Sequence, residues 1–143
     1  MPRPVIAYHI IFGAYGFWLP NDPRGSMSKY VFAPRLQPFG PPQRVREDTS
    51  LTTGEAAKLQ AMRRELRFPP VRFSSRQITI IACAFGDIVQ ELGLVFYAAA
   101  LMPDHVHIVA ARQGIYAETI VGYLKRAASR ELRKKRMHPL AHF

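Results

Sequence analysis

The sequence predicts an α+β fold, in which helices cover one face of an antiparallel sheet. Three observations lead to this prediction. A β-branched and aromatic run lies near the start of the chain, an amphipathic helical stripe follows in its middle, and a strand–turn–strand pattern then precedes a second amphipathic helix. The 143 residues suffice for one domain with its own hydrophobic core.

The first half of the chain predicts one strand and a long irregular insertion. Residues 5–12 are β-branched or aromatic, which is typical of a buried strand. Residues 19–25 combine Pro, Asn, Asp and Gly as in a plain turn, and residues 26–53 contain prolines and glycines without a period. Residues 54–66 are rich in helix formers and predict a short helix. We therefore predict a single domain over residues 1–143, interrupted by a Pro-rich insertion at about 20–73.

The second half predicts a helix, a hairpin and a second helix. Ser74 and Gln77 have the spacing of a capping box, and the apolar stripe that follows them predicts a helix ending at Gly93. Residues 94–101 and 105–110 predict the two strands of a hairpin. A second amphipathic helix is expected at residues 117–136. Without the insertion the order is β-α-β-β-α, a ferredoxin-like arrangement that lacks its last strand.

The charge of the chain indicates a polyanionic partner. Twenty Lys and Arg residues stand against ten Asp and Glu residues, which gives a net charge of +10. The excess is concentrated in residues 122–136, where seven basic residues accompany only Glu131. A clustered positive field binds phosphates by releasing counterions. A solvated helix face is the alternative interpretation, and a membrane surface is a weaker one.

The composition excludes several classes of protein. Cys83 is the single cysteine, which excludes a disulfide scaffold and a Cys-rich zinc ribbon, and we expect its thiol to be buried. The longest nearly apolar run, residues 92–102, has about half the length of a membrane span. The apolar stretch behind the N-terminus is too short for a secretory signal. We expect a cytoplasmic, nucleoid-associated protein with no membrane partner.

His105 and His107 are the strongest candidate site residues. In a strand, residues two apart project from the same face, about 6.6 Å apart along the chain. Two imidazoles on one face can bind a divalent ion while Val106 points into the core. Two strand histidines on a solvent face are the alternative. His9 lies on the first strand and would share that face or pack at the edge of the core.

Residues 101–109, Leu-Met-Pro-Asp-His-Val-His-Ile-Val, closely resemble the His-hydrophobic-His stretch of the HUH single-strand DNA endonucleases. They resemble in particular the single-tyrosine transposases of the insertion-sequence-200-like class and their repeat-associated relatives. Residues 120–132 resemble the next helix of that family, with its Leu-Lys-x-x-x-Ser/Thr-Arg core. The resemblance is specific over residues 93–132 and looser before them.

This resemblance implies a ferredoxin-like nuclease core, a DNA transposase that binds hairpin-forming single-stranded DNA ends. It implies a divalent metal, Mg²⁺ or Mn²⁺, held by His105 and His107, and attack by a tyrosine hydroxyl on a phosphodiester. We expect Asp104 either to orient an imidazole or to serve only as a turn residue. A homodimer is expected, because a missing strand leaves a sheet edge unpaired. The expected phosphate contacts are Lys125, Arg126, Arg130, Arg133 and Lys134.

The nucleophilic tyrosine of the family lies on a later helix, after a further strand, and neither has a counterpart in this sequence. The chain is then either a C-terminal truncation or a remnant that binds DNA without cutting it. Tyr123 is the candidate catalytic tyrosine, and the other five tyrosines have no better claim. A tyrosine packed against the sheet is nevertheless the favoured interpretation of Tyr123. A generic basic RNA-binding domain is a third alternative, which the lack of an aromatic RNP1-type strand makes weaker.

Side chains outside these motifs have simpler interpretations. Phe17 and Trp18 near Arg24 are expected to pack in the core, with stacking on unpaired bases as the alternative. We expect His138 and His142, in the terminal tail, to be solvated.

Overall fold

The computed structural model describes all 143 residues and contains three α-helices, one short 3-10 helix and a three-stranded antiparallel sheet. It divides into two compact units. The core unit comprises residues 1–13 and 72–143, and the insertion unit comprises residues 14–71. The elements are β1 (Ala7–Gly13), the 3-10 helix (Gln37–Phe39), α1 (Thr53–Arg64), α2 (Ser75–Leu92), β2 (Phe96–Leu101), β3 (His105–Ala111) and α3 (Ala117–Lys134).

The predicted α+β class with an antiparallel sheet is confirmed in the core unit. The strand order is β1-β3-β2, and both neighbours run antiparallel to β3. This order is compatible with a ferredoxin-like fold without its last strand. The helices α2 and α3 pack against each other, and one apolar cluster joins them to the inward residues of β1 and β3. Neither helix nor α1 is long and apolar enough to cross a membrane.

Helix α2 begins and ends where its sequence predicts. Both bonds of the capping box are present, since Ser74 Oγ accepts from the Gln77 amide and the Gln77 side chain accepts from the Ser74 amide. Gly93 ends the helix with φ 62°, in the left-handed region that glycine adopts without strain. The expectation of a buried Cys83 is wrong, because Cys83 lies on the exposed side of α2.

Helix α3 separates an apolar face from a basic one. Ile120, Leu124 and Leu132 are buried in the core, as predicted. The helix ends at Lys134, two residues before the predicted end, and Lys135 caps it. The basic side chains therefore lie on the side of α3 away from the apolar cluster.

The predicted turn at residues 19–25 is present, with the Asp22 amide bonded to the Leu19 carbonyl and the Gly25 amide to the Asp22 carbonyl, and its polar residues are buried in the insertion unit. Asp22 is fully buried and accepts two bonds from the Arg24 guanidinium, at 2.9 and 2.7 Å. The side chain of Asn21 donates to two backbone carbonyls, those of Leu36 and Gly40. A buried carboxylate needs such a partner, so these polar residues act as core residues. Beside them lies a small apolar cluster of Leu19, Leu36, Leu59 and Met62.

Gly25 allows two segments of the insertion unit to lie side by side. The Ser26 amide donates to the Gln43 carbonyl at 2.9 Å, and the Arg46 amide donates to the Arg24 carbonyl at 3.2 Å. Gly25 lies between these bonds with φ 97°, and a Cβ there would be 2.2 Å from the Arg44 carbonyl oxygen. Only glycine fits this close approach of two backbones.

Candidate metal and nucleic-acid site

The two histidines of the motif emerge from one face of β3. The Met102 amide donates to the His105 carbonyl at 2.8 Å and closes the tight turn that starts the strand. Val106 is buried against the helices, so the alternation of the strand directs His105 and His107 to the other face. Their ring centroids are 4.9 Å apart. The predicted juxtaposition of the two imidazoles is present.

Asp104 holds the first of these imidazoles. Its Oδ1 lies 2.7 Å from Nδ1 of His105, and its Oδ2 lies 3.2 Å from a guanidinium nitrogen of Arg72. A carboxylate on Nδ1 favours the tautomer in which Nδ1 carries the proton and Nε2 is the acceptor nitrogen. Of the two interpretations of Asp104, the geometry favours orientation of an imidazole.

His9 holds the second imidazole in a similar way. Its Nε2 lies 3.0 Å from Nδ1 of His107, and the two rings stack with centroids 5.2 Å apart and planes 19° apart. His9 is paired with Val109, while His107 is opposite Ile11, so the contact is diagonal across β1 and β3. We call the sheet face that bears His9, His105 and His107 the imidazole face.

The donor atoms of the imidazole face suit a divalent ion only in part. Nowhere in the chain are three or more His, Cys, Asp or Glu side chains arranged to hold a metal ion. His105 and His107 supply two imidazoles whose Nδ1 atoms contact outer partners, an arrangement frequent in metal-binding histidines. Mn²⁺ binds imidazole more readily than Mg²⁺, which prefers oxygen. A site made of two imidazoles, completed by oxygen ligands, therefore fits Mn²⁺ better than Mg²⁺.

The basic residues of α3 form a continuous surface. An open depression of about 470 Å³ is lined by Ser129 and four of the five expected phosphate contacts, and the fifth, Lys134, lies on the same helix outside it. The Lys125 ammonium lies 5.5 Å from the ring centroid of Phe12. The four basic lining residues are Lys125, Arg126, Arg130 and Arg133.

Tyr123 is not brought to the histidine pair. It lies on α3, which packs on the helix side of the sheet, whereas the imidazole face is the opposite side. The Arg126 guanidinium covers its ring at 5.0 Å from the centroid, and the residue is 36% exposed. This environment is that of a partly packed tyrosine at the rim of a basic surface.

Two further expectations change with the structure. His138 is partly buried and accepts a bond from the Leu140 amide, so it is not simply solvated, and burial together with the nearby Arg133 lowers its pKa. Trp18 is 40% exposed, which contradicts its expected place in the core. Its indole N–H donates to the Gly25 carbonyl and the Arg24 guanidinium covers one ring face at 4.2 Å, so Trp18 braces the buried Asp22–Arg24 pair.

Comparison of the chain with protein-family models, with curated proteins and with solved structures gives no match.

Proposed function

We propose that this chain is an HUH-type, single-tyrosine DNA transposase that binds hairpin-forming single-stranded DNA ends. The observation that carries the proposal is the pair His105 and His107, side by side on one sheet face, with Asp104 on the first imidazole. Residues 105–107, His-Val-His, agree with the His-hydrophobic-His motif for which the family is named. The basic surface of α3 supports a nucleic-acid substrate, because four cationic side chains converge on one depression.

Each residue has a defined part in the proposed chemistry. A divalent ion bound by His105 and His107 would polarise the scissile phosphodiester. Asp104 and His9 keep the two imidazoles in position through their Nδ1 atoms. The basic side chains of α3 hold phosphates and so fix the register of the DNA.

The covalent step requires a tyrosine hydroxyl. A bond forms between its oxygen and phosphorus, the bond from phosphorus to the 3′ oxygen breaks, and the products are a 5′-phosphotyrosine and a free 3′-hydroxyl. Covalent attachment conserves the phosphodiester for rejoining. We do not assign this role to Tyr123, since it lies across the sheet from the imidazole face.

The position of Tyr123 favours a second candidate function. A chain with the same DNA-binding surfaces and no tyrosine beside the imidazoles would bind hairpin DNA without cutting it. We therefore keep a catalytically inactive DNA-binding protein of the same family as the alternative.

One experiment separates the two functions. A 3′-labelled hairpin oligonucleotide with single-stranded flanks is incubated with the protein and Mn²⁺, and products are resolved under denaturing conditions. A protein–DNA adduct that is absent in the His105→Ala, His107→Ala double variant supports the transposase. Binding with no adduct and no nicking supports the inactive protein. Failure to bind the hairpin at low salt contradicts both.

A further inference from the structure

The insertion unit presents two large aromatic rings that its own core does not use. Tyr30 is 65% exposed and Phe32 is 82% exposed, and their ring centroids are 5.8 Å apart with planes tilted by 54°. Scattered single apolar residues are common on a protein surface, but two adjacent exposed rings form a patch that indicates a binding site.

The backbone beneath these rings is anchored. Val31, between them, packs on the apolar cluster of the insertion unit, whereas Tyr30 and Phe32 on either side of it are exposed. The Gln37 amide side chain donates to the Val31 carbonyl at 3.0 Å, and the turn that follows is closed by the Leu36 amide on the Ala33 carbonyl. The backbone that carries the rings is thus anchored before any ligand binds, which reduces the entropy cost of binding.

The charge around the rings selects the kind of partner. Residues 23–46 contain five basic residues and no acidic one. Lys29 and Arg35, which flank the aromatic pair in the chain, are both exposed. The nearest acid before this segment, Asp22, is buried and already paired with Arg24. Exposed rings among cations match a chain of phosphates that carries unpaired bases, and match an uncharged apolar partner less well.

The ring geometry indicates how bases would bind. A base inserted between two parallel rings needs about 6.8 Å, twice the rise of roughly 3.4 Å between stacked bases. The centroids at 5.8 Å and the 54° tilt leave no such slot. Each ring instead offers an outer face to a different base.

We propose that Tyr30 and Phe32 form a stacking platform for two unpaired bases of single-stranded DNA. The inference extends the proposed function, on which it rests for the identity of the nucleic acid as DNA. The two rings would contact the single-stranded flank of the substrate and not the duplex part of the hairpin.

The test measures binding by fluorescence anisotropy without added metal, so that cleavage plays no part. The probes are one labelled hairpin with a single-stranded oligothymidine tail and the same hairpin with a blunt end. For the Tyr30→Ala, Phe32→Ala variant we expect the affinity for the tailed hairpin to fall at least tenfold and the affinity for the blunt hairpin to change less than twofold. Tyr97→Ala is the matched control, since Tyr97 is equally exposed at 64% and lies in the core unit.

The outcomes are decisive in either direction. Recovery of tail affinity in the Tyr30→Phe, Phe32→Tyr variant, which keeps both ring faces, supports stacking. An unchanged affinity for the tailed hairpin overturns the platform, as does an equal loss on both probes. An unchanged affinity for the tailed hairpin would be consistent with an apolar protein partner for the two rings. Adduct formation is measured in the separate nicking experiment. If the tail affinity depends on the two rings but no adduct forms, the platform is supported and only the transposase activity is contradicted.

Discussion

At the scale of single residues, each imidazole of the motif has its own support. Asp104 contacts Nδ1 of His105, and Nε2 of His9 contacts Nδ1 of His107. Both contacts fix a ring orientation through the nitrogen that a metal would not use. Such outer partners change metal affinity about 10- to 100-fold in other proteins.

The histidine pair is expected to separate metal binding from DNA binding. The His105→Ala, His107→Ala variant should lose Mn²⁺ binding in titration calorimetry, because both imidazole ligands are gone. Most of its salt-sensitive DNA affinity should remain, since the basic surface of α3 is on the other side of the sheet. Equal collapse of both affinities would show that the basic surface is not an independent phosphate contact.

His9 is expected to act as a positioning residue. His9→Phe keeps a ring against His107 and removes the 3.0 Å nitrogen contact. We expect Mn²⁺ affinity to fall about tenfold, with hairpin affinity unchanged, and His9→Gln to restore part of the metal affinity. Mn²⁺ affinity equal to that of the unaltered protein in His9→Phe would leave His9 with a packing role alone.

The sequence predicts some of this site and misses the rest for a physical reason. The alternation of a strand is enough to place His105 and His107 together. The contacts of His9 and Arg72 depend on the register of β1 against β3 and on the path of the chain before α2, which no local pattern encodes. Exposure of Trp18 and Cys83 similarly depends on tertiary neighbours.

At the scale of elements, local signals predict the helices and the turn of the insertion well, but they do not predict which residues of the insertion are buried. The capping box of Ser74 and Gln77 and the stop at Gly93 are local, and they define α2 correctly. The residues around Asp22 form the turns that Pro, Asn, Asp and Gly predict. Their burial comes from the Arg24 guanidinium, a partner that sequence patterns do not reveal.

The buried ion pair of the insertion unit should be sensitive to truncation. Asp22→Ala leaves the Arg24 guanidinium, whose side chain is 16% exposed, without its carboxylate. We expect a loss of roughly 3 kcal/mol or more in unfolding free energy. Urea unfolding followed by the fluorescence of Trp18 reports on this unit directly. Asp48→Ala, an exposed carboxylate of the same unit, is the control and should change little.

The start of α1 should give the protein an acid-sensitive step. A side-chain bond from Arg46, and then backbone bonding to Thr52, lower the pKa of Glu55 from 4.5 to about 2. Because the pKa of Glu55 is lower in the folded state than in the unfolded state, the ionised carboxylate stabilises the protein above pH 4.5. This stabilisation is lost as the pH falls from 4.5 towards 2. Melting temperature against pH should be flatter over that window in Glu55→Gln, which keeps the capping box. A profile for Glu55→Gln as steep as that of the unaltered protein would contradict this role of Glu55.

At the scale of the whole molecule, the sheet has two outer edges. The Arg112 amide donates to the Ile6 carbonyl, and the antiparallel register then directs the backbone groups of Ala7, His9 and Ile11 away from β3. Unpaired edge groups favour pairing with a second chain. This is the physical basis of the proposed homodimer.

Self-association through this edge is testable. We expect sedimentation velocity to show a concentration-dependent monomer–dimer equilibrium. Ile11→Lys should shift it towards monomer, because a lysine on an edge strand opposes pairing. Met27→Lys adds the same charge at a fully exposed position of the insertion unit and should not shift it. A monomer at all concentrations would contradict the dimer.

The two junctions of the insertion lie at one end of the sheet. The chain leaves the core unit at Gly13, which is opposite His105 in the sheet. It returns at Arg72, which pairs with Asp104. The next residue, Phe73, donates its amide to the Pro103 carbonyl at 2.7 Å. Because departure and return points are neighbours, a short linker in place of residues 14–71 would close the chain without stretching the sheet. Such a minimal protein would allow the chemistry of the paired imidazoles to be studied apart from the inserted module.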